Sequence, residues 1–212
     1  MRKQAKVIWT IAVIAIIVVG AYMYFGENTN GFLAGNKEEI VKTDVSNTIN
    51  GFFKELKNGN LDNASKYLIN DNKYANLDLN FKDKSYEDIM KRLVSKLNYS
   101  IENVTVNDYT AKARLNITSV DLLSFYNTYS SEINPLVQSY LNGGASQKVD
   151  AENKIKALLN DKVGKDIDSG NYQKLNGSID VNLKNVNGKW LIEPNQDLIY
   201  YLTGKMTSIM NK

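Results

Sequence analysis

The hydrophobic positions of this chain change spacing as it is read, and each change marks a boundary. The first block has no spacing at all: Val7 to Phe25 (VIWTIAVIAIIVVGAYMYF) is 19 residues without a charge. From Lys37 a helical period begins, with Ile40, Val45, Ile49, Phe52, Phe53 and Leu56 recurring until Asn58-Gly59 stops it. GNLDNASKYL follows, with Asn60 as an N-cap and Leu61, Ala64 and Leu68 on one face. Ile69 to Lys84 is polar with scattered aromatics and reads as loop. Ser85 opens a third helix with Asp88 as its capping-box partner, and Tyr86, Ile89, Leu93 and Leu97 form its apolar face.

The period then shortens to two. Tyr99 to Val106 reads as a strand, Asn107-Asp108 as a turn, and Tyr109 to Thr118 as the returning strand. In the returning strand Ala111, Ala113, Leu115 and Ile117 alternate with Lys112, Arg114, Asn116 and Thr118, which predicts one buried face. Helical spacing resumes from Val120 to Leu141, with Pro135 as a kink or break, and Asn142-Gly143-Gly144 ends it. A further helix is expected over Val149–Val163, and a second long strand over Tyr172–Val186. Asn187-Gly188 is a two-residue hairpin signal, Lys189 to Glu193 returns, and Pro194 stops the strand. A last helix carries Leu198, Ile199, Leu202, Met206 and Ile209. Helices, then two hairpins separated by helices, predict an α+β domain over residues 37–212, with helices packed on one face of an antiparallel sheet.

Charge gives the first block a direction. At ~1.5 Å per residue it makes about 29 Å of helix, close to the ~30 Å hydrocarbon core. The side chains that would meet lipid are Val7, Ile8, Trp9, Ile11, Val13, Ile14, Ile16, Ile17, Val18, Val19, Tyr22, Tyr24 and Phe25, with aromatics at both ends. Arg2, Lys3 and Lys6 precede the run and Glu27 is the first charge after it. The positive-inside rule then sets residues 1–6 in the cytoplasm, 7–25 as a single-pass transmembrane helix, and the rest outside the cell membrane. The competing reading is a cleaved signal peptide, since Val19-Gly20-Ala21 is a passable cleavage pattern, although the run exceeds the usual signal core. Residues 26–36, rich in Gly and Asn, read as a tether with a root-mean-square span of roughly 18 Å.

Composition mostly excludes. There is no Cys and no His, so disulfides, thiol nucleophiles, Cys-ligated metals, lipidated Cys and imidazole bases are ruled out. The three basic residues before the apolar run supply the whole formal charge of +3. The remainder is balanced, and nucleic acid loses its electrostatic argument. Asn is abundant and Lys far outnumbers Arg, a bias that points to AT-rich coding and a low-GC, Gram-positive bacterium.

GNLDNASKYL after an amphipathic first helix resembles the opening of nuclear-transport-factor-like domains. The hairpin ENVTVNDYTAKARLNITSVD and the closing LKNVNGKWLIEPN are similar to strand pairs of that superfamily's extracytoplasmic bacterial members. The resemblance covers about residues 37–194 and implies a cone-shaped α+β domain on a membrane-tethered protein. Two departures stand out. No lipobox Cys is present, and a helical insertion of about 50 residues, Val120 to Gly170, lies between the hairpins, where it would cap or fill the cone.

In enzymes of that superfamily an Asp, Tyr or His projects into the cone, so with no His in the chain the resemblance implies an Asp/Tyr pair as the catalytic route. No spacing in the chain sets such a pair together. Asp161, Asp166 and Asp168 do not follow a calcium-loop spacing and read as a solvated helix end. Trp190 is a ligand platform or, more commonly, hairpin packing. Phe125, Tyr126, Tyr129 and Tyr140 in the insertion, with Trp190, are the candidate partner contacts. No cofactor is implied, and no phosphate loop or nucleophile elbow occurs. The expected function is a membrane-anchored extracytoplasmic binding or scaffold module that engages another envelope protein. The alternatives are a receptor for a small apolar or peptide ligand in the cone and, third, an Asp/Tyr enzyme.

Overall fold

The computed structural model of the chain describes residues 36–69 and 83–205. The span expected at Val7–Phe25, most of the tether, the segment 70–82, and Met206 and Ile209 lie outside the described residues. Among the described residues no helix is long and apolar enough to cross a membrane.

Helix α1 (Asn36–Lys57) buries Val45, Ile49, Phe52, Phe53 and Leu56, one stripe at helical spacing. Its end is fixed by Gly59 at φ +73°, where the Asn60 and Gly59 N–H groups reach back to the Glu55 and Leu56 carbonyls, both at 2.9 Å. That is a Schellman closure, and glycine takes the left-handed position without strain. A short α2 (Leu61–Ser65) follows, and residues 67–69 then run beside the sheet. Helix α3 (Lys84–Ser95) buries Tyr86, Ile89, Met90, Leu93 and Val94. Its cap is Asp83, whose carboxylate accepts from the Ser85 N–H at 2.8 Å, two residues ahead of the Ser85 cap expected from the sequence. An ionised carboxylate is a strong acceptor for orphan helix N–H groups and lies against the positive end of the dipole.

The sheet has four antiparallel strands in order β1 (Asn98–Asn107), β2 (Thr110–Val120), β3 (Lys174–Val186) and β4 (Lys189–Glu193). Ala111, Ala113, Leu115 and Ile117 of β2 are buried, and they pair with Leu183, Val181, Ile179 and Gly177 of β3 on the same face. Strand β1 changes parity midway. Tyr99 and Ile101 face inward, then Val104 and Val106, because Glu102 is an extra residue between Ile101 and Asn103. A bulge of this kind restores the buried face after one residue of slip. The first hairpin turns at Asp108-Tyr109, one residue later than expected, with Asp108 at φ 51°. The second turns at Asn187-Gly188, both with positive φ, as a type I′ turn requires. Both turns lie at the same end of the sheet, joined by the Asn185 N–H donating to the Tyr109 carbonyl at 2.7 Å.

Between β2 and β3 the chain leaves the sheet as helix α4 (Leu122–Asn142) and helix α5 (Ala145–Leu158), then a π-turn (Leu159–Val163) and helix α6 (Gly164–Ser169). Helix α4 passes through Pro135 without ending; Ser131, whose carbonyl loses its partner there, is exposed to water. The helix expected over Val149–Val163 begins earlier, at Ala145, and the π-turn carries the helical course on to Ser169. It absorbs one surplus residue, so that Val163 and Ile167 stay on the buried face set by Ile155, Leu158 and Leu159. The two ends of this excursion are pinched by the Asp121 N–H donating to the Gln173 carbonyl at 2.8 Å. Helix α7 (Gln196–Leu202) closes the core through Leu198, Ile199 and Leu202. One contiguous core runs from Val45 to Leu202, and the opposite face of the sheet is polar.

Candidate functional site

The helical excursion does bring a Tyr and an Asp together. Tyr129 on α4 donates from its hydroxyl to Asp166 Oδ2 at 2.6 Å, and Asn171 Nδ2 donates to Asp166 Oδ1 at 3.0 Å. The π-turn sets Lys162 over the Tyr129 ring, 5.5 Å from its centroid, with its ammonium on Glu132 at 2.5 Å. Hydrogen bonds from Tyr129 and Asn171 hold the Asp166 carboxyl below its usual range, and the same bond to Asp166 raises the Tyr129 hydroxyl. The pair thus favours carboxylate and neutral phenol, and it moves both groups away from neutrality. General acid–base work at neutral pH asks for the opposite tuning. This pair fastens α4 to α6.

A second cluster lies where α3 begins. Lys156 of α5 bridges Asp83 Oδ2 at 2.6 Å and Glu152 Oε1 at 2.8 Å, and its ammonium sits 5.5 Å from the Tyr86 ring centroid. The bond from Lys156 is the main influence lowering Asp83, and the bonds to Asp83 and Glu152 raise Lys156. The Tyr86 hydroxyl is buried with no hydrogen-bond partner among the described residues, and burial pushes its pKa up. Arg92 of α3 pairs with Asp168 of α6, close beside Gly164. These contacts strap the insertion to α3.

The candidate contacts fall into two groups. Phe125 is 5 % exposed and Trp190 6 %, so both are core side chains and neither offers a face to a partner. Tyr126, Tyr129 and Tyr140 are half-buried on the same side of α4 as Ile133 and Val137, packed against the core, with the Tyr126 hydroxyl donating to Asn134 at 3.0 Å. Their helical spacing, which made them candidates, is the spacing of a helix that covers a core. Asp161, Asp166 and Asp168 diverge along the π-turn and α6, two of them already held by Tyr129 and Arg92. No group of three or more acidic side chains converges among the described residues.

Among the described residues, two hollows open directly to solvent. One, about 260 Å³, lies on the polar face of the sheet and is lined by Thr105, Asn107, Lys112, Asn182, Lys184 and Glu193. The other, about 490 Å³, lies beside the start of α5 against Ala145, Ser146, Val149, Asp150 and Asn153. On the polar face Asp180 pairs with Lys112 and Arg114 at 3.1 Å each, and Thr118 donates to Asn176 at 2.8 Å, so its charges are mutually engaged. The surface features the sequence did not single out are Tyr109, Val149 and Val186, the large apolar side chains exposed among the described residues at 62 %, 60 % and 42 %. Their only signal was position, at a turn, on an otherwise polar helix start, and at a strand end. Compared with protein-family models, curated proteins and solved structures, the chain has no match.

Proposed function

We propose that this chain is a single-pass, membrane-anchored extracytoplasmic scaffold whose helical arm, α4 and α5, engages another envelope protein. The observation that carries the reading is the arm itself. Helix α4 packs chiefly on α5, and the first turn and a half of α5, Ala145 to Asp150, is exposed on every side. A helical segment that buries nothing adds little to the core, and Val149 stands out on it 60 % exposed. The charge-free run at Val7–Phe25 supports the anchor, because a tether of roughly 18 Å raises the effective concentration of a binding module against a membrane partner. The perturbed acids and phenols support binding over catalysis, since each is shifted away from neutral pH by a contact that fastens helices or by burial. The element order, three helices, a hairpin, a helical excursion and a second hairpin, supports a nuclear-transport-factor-like architecture with the insertion as its addition.

The test uses the full chain in intact cells, with a photo-crosslinker at Ser146 to capture the membrane partner. Val149→Asp should reduce recovery of the crosslinked species while Asp166→Asn leaves it unchanged. If Asp166→Asn or Tyr129→Phe abolished function in a folded chain and Val149→Asp were silent, the Asp/Tyr enzyme would replace the scaffold.

A further inference from the structure

We infer that the hairpin-turn end of the sheet, led by Tyr109 and Val186, rests in the headgroup layer of the membrane that holds the chain. The inference depends on the anchor reading above and adds an orientation to it. Tyr109 and Val186 belong to different hairpins, yet the Asn185 N–H to Tyr109 carbonyl bond sets them side by side at one end of the sheet. The remaining exposed apolar side chain of that size among the described residues, Val149, is on the arm.

The course of α1 says which way that end points. Gly59, past the C-terminus of α1, lies against Lys91 of α3. Phe53 then stacks on Tyr99, with ring centroids 4.2 Å apart, at the start of β1 and far from the turns. Thr48 next reaches the Trp190 carbonyl, one residue inside β4 from the second turn. Traced backwards, α1 therefore climbs from the far end of the sheet toward the turns. The twelve residues before Thr48 continue it by about 18 Å of helix. The first described residue, Asn36, is where the tether meets the domain, so the chain enters the domain from the side of the turns.

The chemistry at that end suits an interface. Tyrosine is enriched at headgroup depth, where its ring and hydroxyl are both accommodated. Lys189 lies next to the second turn, its ammonium donating to the Lys66 carbonyl at 3.3 Å and 6.0 Å from the Tyr67 ring centroid, and Lys66 adjoins it. Lys189 thus places one cation behind the apolar pair, against one turn carboxylate, Asp108, while the Lys66 ammonium turns to Asn63 Oδ1 at 2.7 Å. The contact is small, and a tether makes small contacts sufficient by confining the domain to within its own span.

The absence of Cys makes single nitroxide labels unambiguous. The full chain would be reconstituted into vesicles of phosphatidylcholine and phosphatidylglycerol, carrying a nitroxide at Val186→Cys or Val149→Cys. Accessibility to lipid-partitioned oxygen and to an aqueous nickel chelate is then measured. The oxygen-to-nickel ratio should be several-fold higher at 186 than at 149, and Tyr109→Ser should lower it at 186 toward the value at 149. If the chain floats with the vesicles but the two positions are equal, the inference fails and the anchor stands. If the chain does not float, both fail. If 149 is the more lipid-exposed, the domain lies the other way up and the inference is overturned.

Discussion

Gly177 sits in the middle of β3, and replacing it with alanine tests how tightly α7 is laid on the sheet. It pairs with Ile117, so a β-carbon there would point to the covered face. That β-carbon would collide with the Tyr201 hydroxyl and stand 2.9 Å from its Cζ. Two effects oppose each other. Alanine in place of a strand glycine should gain roughly 0.5–1 kcal/mol through the unfolded chain. Overpacking costs about 1–3 kcal/mol, and Tyr201 has little room to yield because Leu198 and Leu202 on the same helix are buried. The clash should win by about 1–2 kcal/mol, which for a domain of this size lowers the melting temperature by about 2–8 °C. The assay is thermal and urea unfolding of the fragment 37–212, which contains the whole described core and should unfold cooperatively. Tyr201→Phe removes the colliding oxygen but leaves Cζ, so in the Gly177→Ala background it should recover part of the loss. A Gly177→Ala variant as stable as the parent, or strict additivity with Tyr201→Phe, would refute this account of the α7–β3 contact.

Leu115→Ala, on the buried face of β2, should cost about 2–5 kcal/mol, while Arg114→Ala, one residue along on the polar face, should cost under ~1 kcal/mol; a larger loss at Arg114 than at Leu115 in urea titrations would mean the two faces are reversed. Tyr86→Phe should leave stability unchanged or raise it by up to about 1–3 kcal/mol, because it deletes a buried hydroxyl without a partner, and a clear loss would reveal a partner for that oxygen. Asp166 and Asp83 have carboxyls held below their unfolded range, so their stabilisation is fully present above about pH 4–5 and is lost as pH falls through the folded values. Asp166→Asn should therefore flatten the acid limb of a stability–pH curve, and a limb parallel to the parent's would contradict the Tyr129–Asp166 contact.

What the sequence revealed follows from where one period held over a whole element. Ala111, Ala113, Leu115 and Ile117 alternate cleanly because β2 is central, with one face buried along its length. The Asn-Gly hairpin was legible because only a few residues accept two successive positive φ values. Strand β1 was harder, since the bulge at Glu102 breaks the alternation without any residue that marks it. The α5–α6 region misled for a related reason. A π-turn shifts the apolar spacing by one residue, so the pattern from Ala145 to Ser169 reads as a shorter helix with a frayed end. For the site, aromatics at helical spacing on α4 mark equally a contact surface and a helix that covers a core, and here Phe125 is buried while Tyr126, Tyr129 and Tyr140 pack half-buried against the core. The groups that do pair, Asp166 with Tyr129 and Lys156 with Asp83, are 37 and 73 positions apart, a separation that no local pattern encodes.

The pinch between Asp121 and Gln173 also bears on how this chain acquires its fold and how it can change. The two hairpins close locally, each around a two-residue turn, but β2 can meet β3 only after the whole of residues 121–173 has doubled back. Long-range pairing of this kind sets the pace of folding more than its final strength. Closure entropy grows slowly with length, about 0.6 kcal/mol for each doubling of a flexible loop. Residues added or removed at Gly143-Gly144, where the arm reverses, would therefore change the rate at which the sheet is completed far more than its stability. The arm can therefore be lengthened or trimmed at its tip with the sheet intact, provided the two ends still meet at the base.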